Sequence, residues 1–72
     1  MTKRERAEKA QLLLAEIVEY TSLEQVSVQV EKGYFTIWRW SKGKEGIDRA
    51  NLELLESLLK RLKKGEVADG RI

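Results

Sequence analysis

The stretch QVSVQVEKGYFTIWRWS, residues 25–41, decides how this chain folds. Val26, Val28 and Val30 alternate with Gln25, Ser27, Gln29 and Glu31, the period of two expected of a half-buried strand. Lys32 and Gly33 interrupt that pattern. Tyr34, Phe35, Thr36, Ile37, Trp38, Arg39 and Trp40 follow, nearly all of them aromatic or β-branched, the side chains that pack best on a pleated surface. Two antiparallel strands joined as a hairpin are the expectation.

The turn sets which side chains share a face. A two-residue type I′ turn at Lys32 and Gly33 would put Lys32 at positive φ, at a cost of about 1 kcal/mol or more. A three-residue loop of Glu31, Lys32 and Gly33, with only the glycine left-handed, suits these residues better and is preferred. In that register the valines share a surface with Tyr34, Trp38 and Trp40, and Phe35, Ile37 and Arg39 form the outer contact face. In the other register Tyr34, Trp38 and Trp40 turn outward instead. Either way the hairpin carries more large apolar side chains than two helices on one side can cover.

The flanks read as helices. Thr2 followed three residues later by Glu5 has the form of a capping box, and no Gly or Pro occurs from Lys3 to about Tyr20. Ala7, Ala10, Leu13, Leu14, Ile17 and Val18 recur at steps of three and four and mark one face. After Ser41, Lys42, Gly43, Lys44, Glu45 and Gly46 read as an exposed loop. Asp48 can cap a second helix whose stripe is Leu52, Leu55, Leu58, Leu59 and Leu62, with a basic last turn that suits the helix dipole and Gly65 as its stop. The expected fold class is therefore α+β. It is a single small domain over residues 1–65 in α-β-β-α order, a two-stranded hairpin with both helices on one face, and a loose tail over residues 66–72.

With 72 residues there is room for one core, and a domain of that size hides only about 60% of the surface its unfolded chain exposes. Small domains recover stability through disulfides, a metal or association, and this chain has neither Cys nor His. Open strand edges and surplus apolar surface make a homodimer through the hairpin the expectation. The lack of Cys fits a reducing compartment. No apolar run reaches the roughly 18 residues that span a bilayer and no signal-peptide pattern precedes the first helix, so a cytoplasmic protein with no membrane partner is expected.

The residue inventory speaks against conventional catalysis. General acid–base chemistry near neutral pH draws most often on His, and nucleophilic triads set a base beside Ser or Cys. Ser22, Ser27, Ser41 and Ser57 have no such motif around them, Gly43, Gly46 and Gly65 do not make a phosphate-cradling loop, and no calcium-loop spacing occurs. No catalytic residue, metal ligand, cofactor or small-molecule partner is expected.

Two kinds of function fit what remains. One is a protein-interaction or regulatory module, of the sort that phages, plasmids and mobile elements encode, dimerising through its hairpin. The alternative is a small nucleic-acid binder, because aromatic rings interleaved with basic side chains stack bases and neutralise phosphates; the candidate contacts are Arg39, Lys42 and Lys44 with Lys60, Arg61, Lys63 and Lys64. Gly33 to Trp40 with Gly43 and Lys44 resembles strands of the small arm-binding domains of phage-type integrases, without the third strand those domains use. An artificial sequence is a further alternative, suggested by the absence of Pro, Cys and His.

Overall fold

The computed structural model describes residues 2–44 and 46–65. Among them are four helices and no strand: α1 (Lys3–Ile17), α2 (Leu23–Val30), α3 (Tyr34–Ser41) and α4 (Arg49–Lys63). The expected α+β class, with its α-β-β-α order and β-hairpin, is thus overturned, and the order is α-α-α-α. The likeness to integrase strands falls with it, since its residues form α3. The tail expected over residues 66–72 lies outside the described residues.

Spacing explains why residues 25–41 are helical. Val26 and Val30 are two strand periods apart, but they are also one helical turn apart, and Ile37 and Trp40 are separated by three. These four are 0%, 7%, 0% and 3% exposed, whereas Val28, which a strand would set beside Val26 and Val30, is 65% exposed. Val, Ile and Trp are disfavoured in helices by only about 0.5 kcal/mol each, while burying one such side chain is worth about 1.5–3 kcal/mol. Burial on the helical face therefore overrides the strand propensity.

Local hydrogen bonding closes both short helices. The Ser22 hydroxyl accepts from the Gln25 amide at 3.2 Å and caps α2. At the other end the Lys32 amide donates to the Ser27 carbonyl at 3.1 Å and the Glu31 amide to the Val28 carbonyl at 3.4 Å. These are the two bonds of a Schellman motif, with Glu31 at its left-handed position, φ 57°. The expectation of a left-handed Gly33 is thus corrected: Gly33 has φ −62° and ψ 149° and caps the start of α3. The same motif ends α3, where the Lys44 amide donates to the Arg39 carbonyl at 3.0 Å, the Gly43 amide donates to the Trp40 carbonyl at 3.1 Å, and Gly43 takes φ 69°.

The long helices carry the caps their sequence foretold. Thr2 and Glu5 form the reciprocal capping box of α1, at 2.7 and 3.1 Å, and the Asp48 carboxylate accepts from the Asn51 amide at 2.9 Å to start α4. Helix α1 packs against α4 and α3, and α2 against α3 and α4. Their shared core is Ala10, Leu14 and Ile17 of α1, the four residues of α2 and α3 named above, Ile47 of the connecting loop, and all five leucines of the α4 stripe. Arg6 Nε donates to the Ile47 carbonyl at 2.9 Å and fastens that loop to α1. Lys9–Glu56 at 2.6 Å and Lys63–Glu16 at 2.8 Å clip α1 to α4 from outside. No described helix is long and apolar enough to cross a membrane.

Candidate nucleic-acid interface

Helix α3 has two faces of different character. Ile37 and Trp40 point into the core. Tyr34, Phe35, Trp38, Arg39 and Lys42, at steps of one, three and four, form a ridge on the opposite side. Tyr34 and Phe35 are 49% and 61% exposed, so aromatic surface is presented at the very start of the helix.

The ridge is internally ordered. The rings of Phe35 and Trp38 stack with centroids 5.7 Å apart and planes within 6°. The Arg39 guanidinium lies 4.6 Å from the centre of the Phe35 ring, and the Lys42 and Lys44 ammonium groups each lie 5.8 Å from the Trp38 ring. Such cation–π contacts are worth about 0.5–1 kcal/mol at exposed positions. They restrain long basic side chains that would otherwise sample many rotamers, and hold three positive charges against the aromatic pair.

Charge is distributed to match. Residues 32–44 hold Lys32, Arg39, Lys42 and Lys44 and no acidic residue, a net +4, whereas the chain as a whole is +2, so the remainder sums to −2. The four cations sit on the turn before α3, on its ridge, and on the turn after it. Helix α2 brings its own polar edge: Ser22 and Glu24 are exposed, and Gln25 and Gln29 half-buried.

The residues proposed from sequence are redistributed by this helix. Of the face Phe35, Ile37 and Arg39, Phe35 and Arg39 share the exposed ridge while Ile37 is fully buried; of the face Tyr34, Trp38 and Trp40, the first two join the ridge and Trp40 is in the core. Both faces had rested on a hairpin the structure lacks. Arg39, Lys42 and Lys44 lie together at the ridge. Lys60, Arg61, Lys63 and Lys64 lie at the C-terminal end of α4, a helix whose backbone does not approach that of α3, and there Lys63 is engaged by Glu16. That hydrogen bond and the carboxylate charge raise the Lys63 pKa above the ordinary lysine value. Lys32, missed from sequence, adds charge at the near end of the ridge.

Two sequence signals pointed to this arrangement. Ser22-Leu23-Glu24-Gln25 has the Ser-x-x-Gln spacing of a capping box ahead of an apolar run, and Gly43 stands where a helix stop requires a left-handed residue.

Among the described residues, no group of three or more Asp, Glu, His or Cys side chains converges as a metal site would require. Comparison of the chain with protein-family models, curated proteins and solved structures finds no match.

Proposed function

We propose that this protein binds double-stranded DNA as a helix–turn–helix module, with α2 crossing the sugar–phosphate backbone and α3 seated in the major groove. The observation that carries the proposal is α3 itself, an eight-residue helix after a three-residue turn, with its core face fixed by Ile37 and Trp40 and its outer ridge basic and aromatic. In this motif a second helix enters the groove and contacts base edges with its N-terminal residues. Eight residues make a rod about 12 Å long and, with side chains, 10–12 Å across, which suits a groove about 12 Å wide. A +4 segment on a chain whose remainder sums to −2 orients the module, because the polyanion is drawn to the α3 side. The function is regulatory or architectural rather than enzymatic.

Titration with a duplex, followed by tryptophan fluorescence, tests this. Trp38 is half-exposed on the ridge and Trp40 is buried, so a ligand seated on α3 changes the Trp38 signal. Lys32, Lys42 and Lys44 as phosphate contacts predict a slope of log K against log salt of about −3, and Lys44→Ala should make it shallower by about one. A single strand of the same sequence should bind more weakly than the duplex. Absence of any duplex binding at low salt would sink the proposal.

A homodimer remains part of it on new grounds. The strand edges that first suggested association do not exist among the described residues, but one α3 reads only a few base pairs, and two copies on half-sites one helical turn apart would extend the site. Mass measured in solution with and without duplex tests this: one copy per duplex at saturation would refute it.

A further inference from the structure

We infer that Phe35 and Arg39 act as one reading unit for adjacent base pairs, Phe35 taking the C5-methyl group of a thymine and Arg39 the O6 and N7 acceptors of a neighbouring guanine. The inference rests on the major-groove placement of α3 and specifies which duplexes that helix selects.

Three features single out this pair. Phe35 is the second residue of α3, where a groove-seated helix first meets base edges, and more than half of its surface is open. Its ring has no hydrogen-bonding group, and the apolar feature that major-groove edges offer such a ring is the thymine methyl. Arg39 follows one turn later and its guanidinium is held 4.6 Å from the Phe35 ring centre. Successive base pairs are separated by 3.4 Å, so two groups held this close address neighbouring pairs rather than distant ones. The guanidinium matches the paired acceptors of guanine, the commonest specific contact to that base. Trp38, stacked on Phe35, limits the directions in which the ring can turn. Tyr34 and Lys42 flank the pair, and Lys42, like Lys44, stands over Trp38, where a phosphate is the suitable partner.

Selection of bound duplexes from a random-sequence pool should enrich sites with an A·T pair directly beside a G·C pair. Replacing that thymine by uracil deletes the methyl alone and should weaken binding about fourfold, the effect of withdrawing one buried methyl. Replacing the guanine by 7-deazaguanine should weaken it about tenfold, within the range of a lost bidentate contact. The Phe35→Ala protein should bind thymine and uracil duplexes equally, and Arg39→Ala should lose the response to 7-deazaguanine; circular dichroism of both variants checks that the helices are retained. Salt-dependent duplex binding with no enrichment of such a step, or with full affinity for the uracil duplex, would overturn this inference and leave the groove placement standing. Failure to bind any duplex would overturn both. Retention of the uracil penalty in Phe35→Ala would assign the methyl contact to another side chain and refute the pair.

Discussion

The α1–α4 pair and the α2–α3 pair meet in one core yet are built on opposite terms. Helices α1 and α4 have fifteen residues each, complete N-caps, and an outer surface closed by the Lys9–Glu56 and Lys63–Glu16 pairs. Helices α2 and α3 have eight residues each, too few to persist alone in water. They hold the valines at 26, 28 and 30 and the largely aromatic and β-branched run from Tyr34 to Trp40, and they leave Val28, Tyr34 and Phe35 uncovered. The long pair behaves as scaffold, with five leucines of α4 and three residues of α1 in the core and two ion pairs across its outside, although Leu12 and Leu54 stay exposed. The short pair exists because the scaffold gives Val26, Val30, Ile37 and Trp40 somewhere to go, and its outer surface exposes aromatic and basic side chains together.

The sharpest way to break this comparison is inside α3. Ile37 and Phe35 would have lain on the same face of a strand, but in the helix one is fully buried and the other 61% exposed. Ile37→Ala should cost about 2–4 kcal/mol in urea unfolding, whereas Phe35→Ala, which removes only the exposed ring contacts with Trp38 and Arg39, should cost about 1 kcal/mol or less. Equal losses at the two positions would restore a two-residue period and undo the fold described here.

The two Schellman motifs allow a subtler test, with effects of opposite sign. Gly43→Ala places a side chain at φ 69°, and its Cβ would fall 2.7 Å from Gln11 Oε1, an exposed side chain that can swing aside. The expected loss is about 1–2 kcal/mol, mostly from the backbone. Glu31→Gly relieves the same strain at the end of α2 and should gain up to about 1 kcal/mol, a rise in thermal midpoint of several degrees.

Trp40 offers a smaller effect. Its indole N–H is buried without a hydrogen-bond partner, and an orphaned donor costs about 1–3 kcal/mol. Trp40→Phe gives up ring volume but removes that donor, so the net loss should remain below about 1 kcal/mol, far under the roughly 3–5 kcal/mol typical of truncating such a residue to Ala. A loss as large as that of Trp40→Ala would show that the N–H is satisfied after all.

The smallest effects belong to the scaffold and appear as pH dependence. Glu5 has its pKa lowered, chiefly by the hydrogen bond from the Thr2 amide and then by the Thr2 hydroxyl. Its contribution is present above the unfolded carboxylate pKa and fades as pH falls through the lower folded value. Lys63, raised by Glu16, works in the other sense: its contribution holds below the ordinary lysine pKa and fades as pH rises through the higher folded value. Both groups are exposed, so the changes are slight; Glu5→Ala and Lys63→Ala should flatten the acid and alkaline limbs respectively in urea midpoints measured against pH.

The sequence by itself determined the two long helices. Caps at Thr2 and Asp48 and the leucine stripe from Leu52 to Leu62 are local signals, each spelled out within a turn or two of the chain, and each forms where it is written. It also fixed the inventory of the candidate site, since Arg39, Lys42 and Lys44 beside aromatic rings are evident at any register. Tertiary structure alone decided residues 25–41. Valines at 26, 28 and 30 satisfy a period of two and a step of four together, and β-branched and aromatic content favours the strand. The choice falls to the contacts that α1 and α4 offer. Those contacts bury Val26, Val30, Ile37 and Trp40 together, which a strand cannot do without also burying Val28, and the few tenths of a kcal/mol per residue by which propensity opposes the helix are small beside the burial of four large side chains.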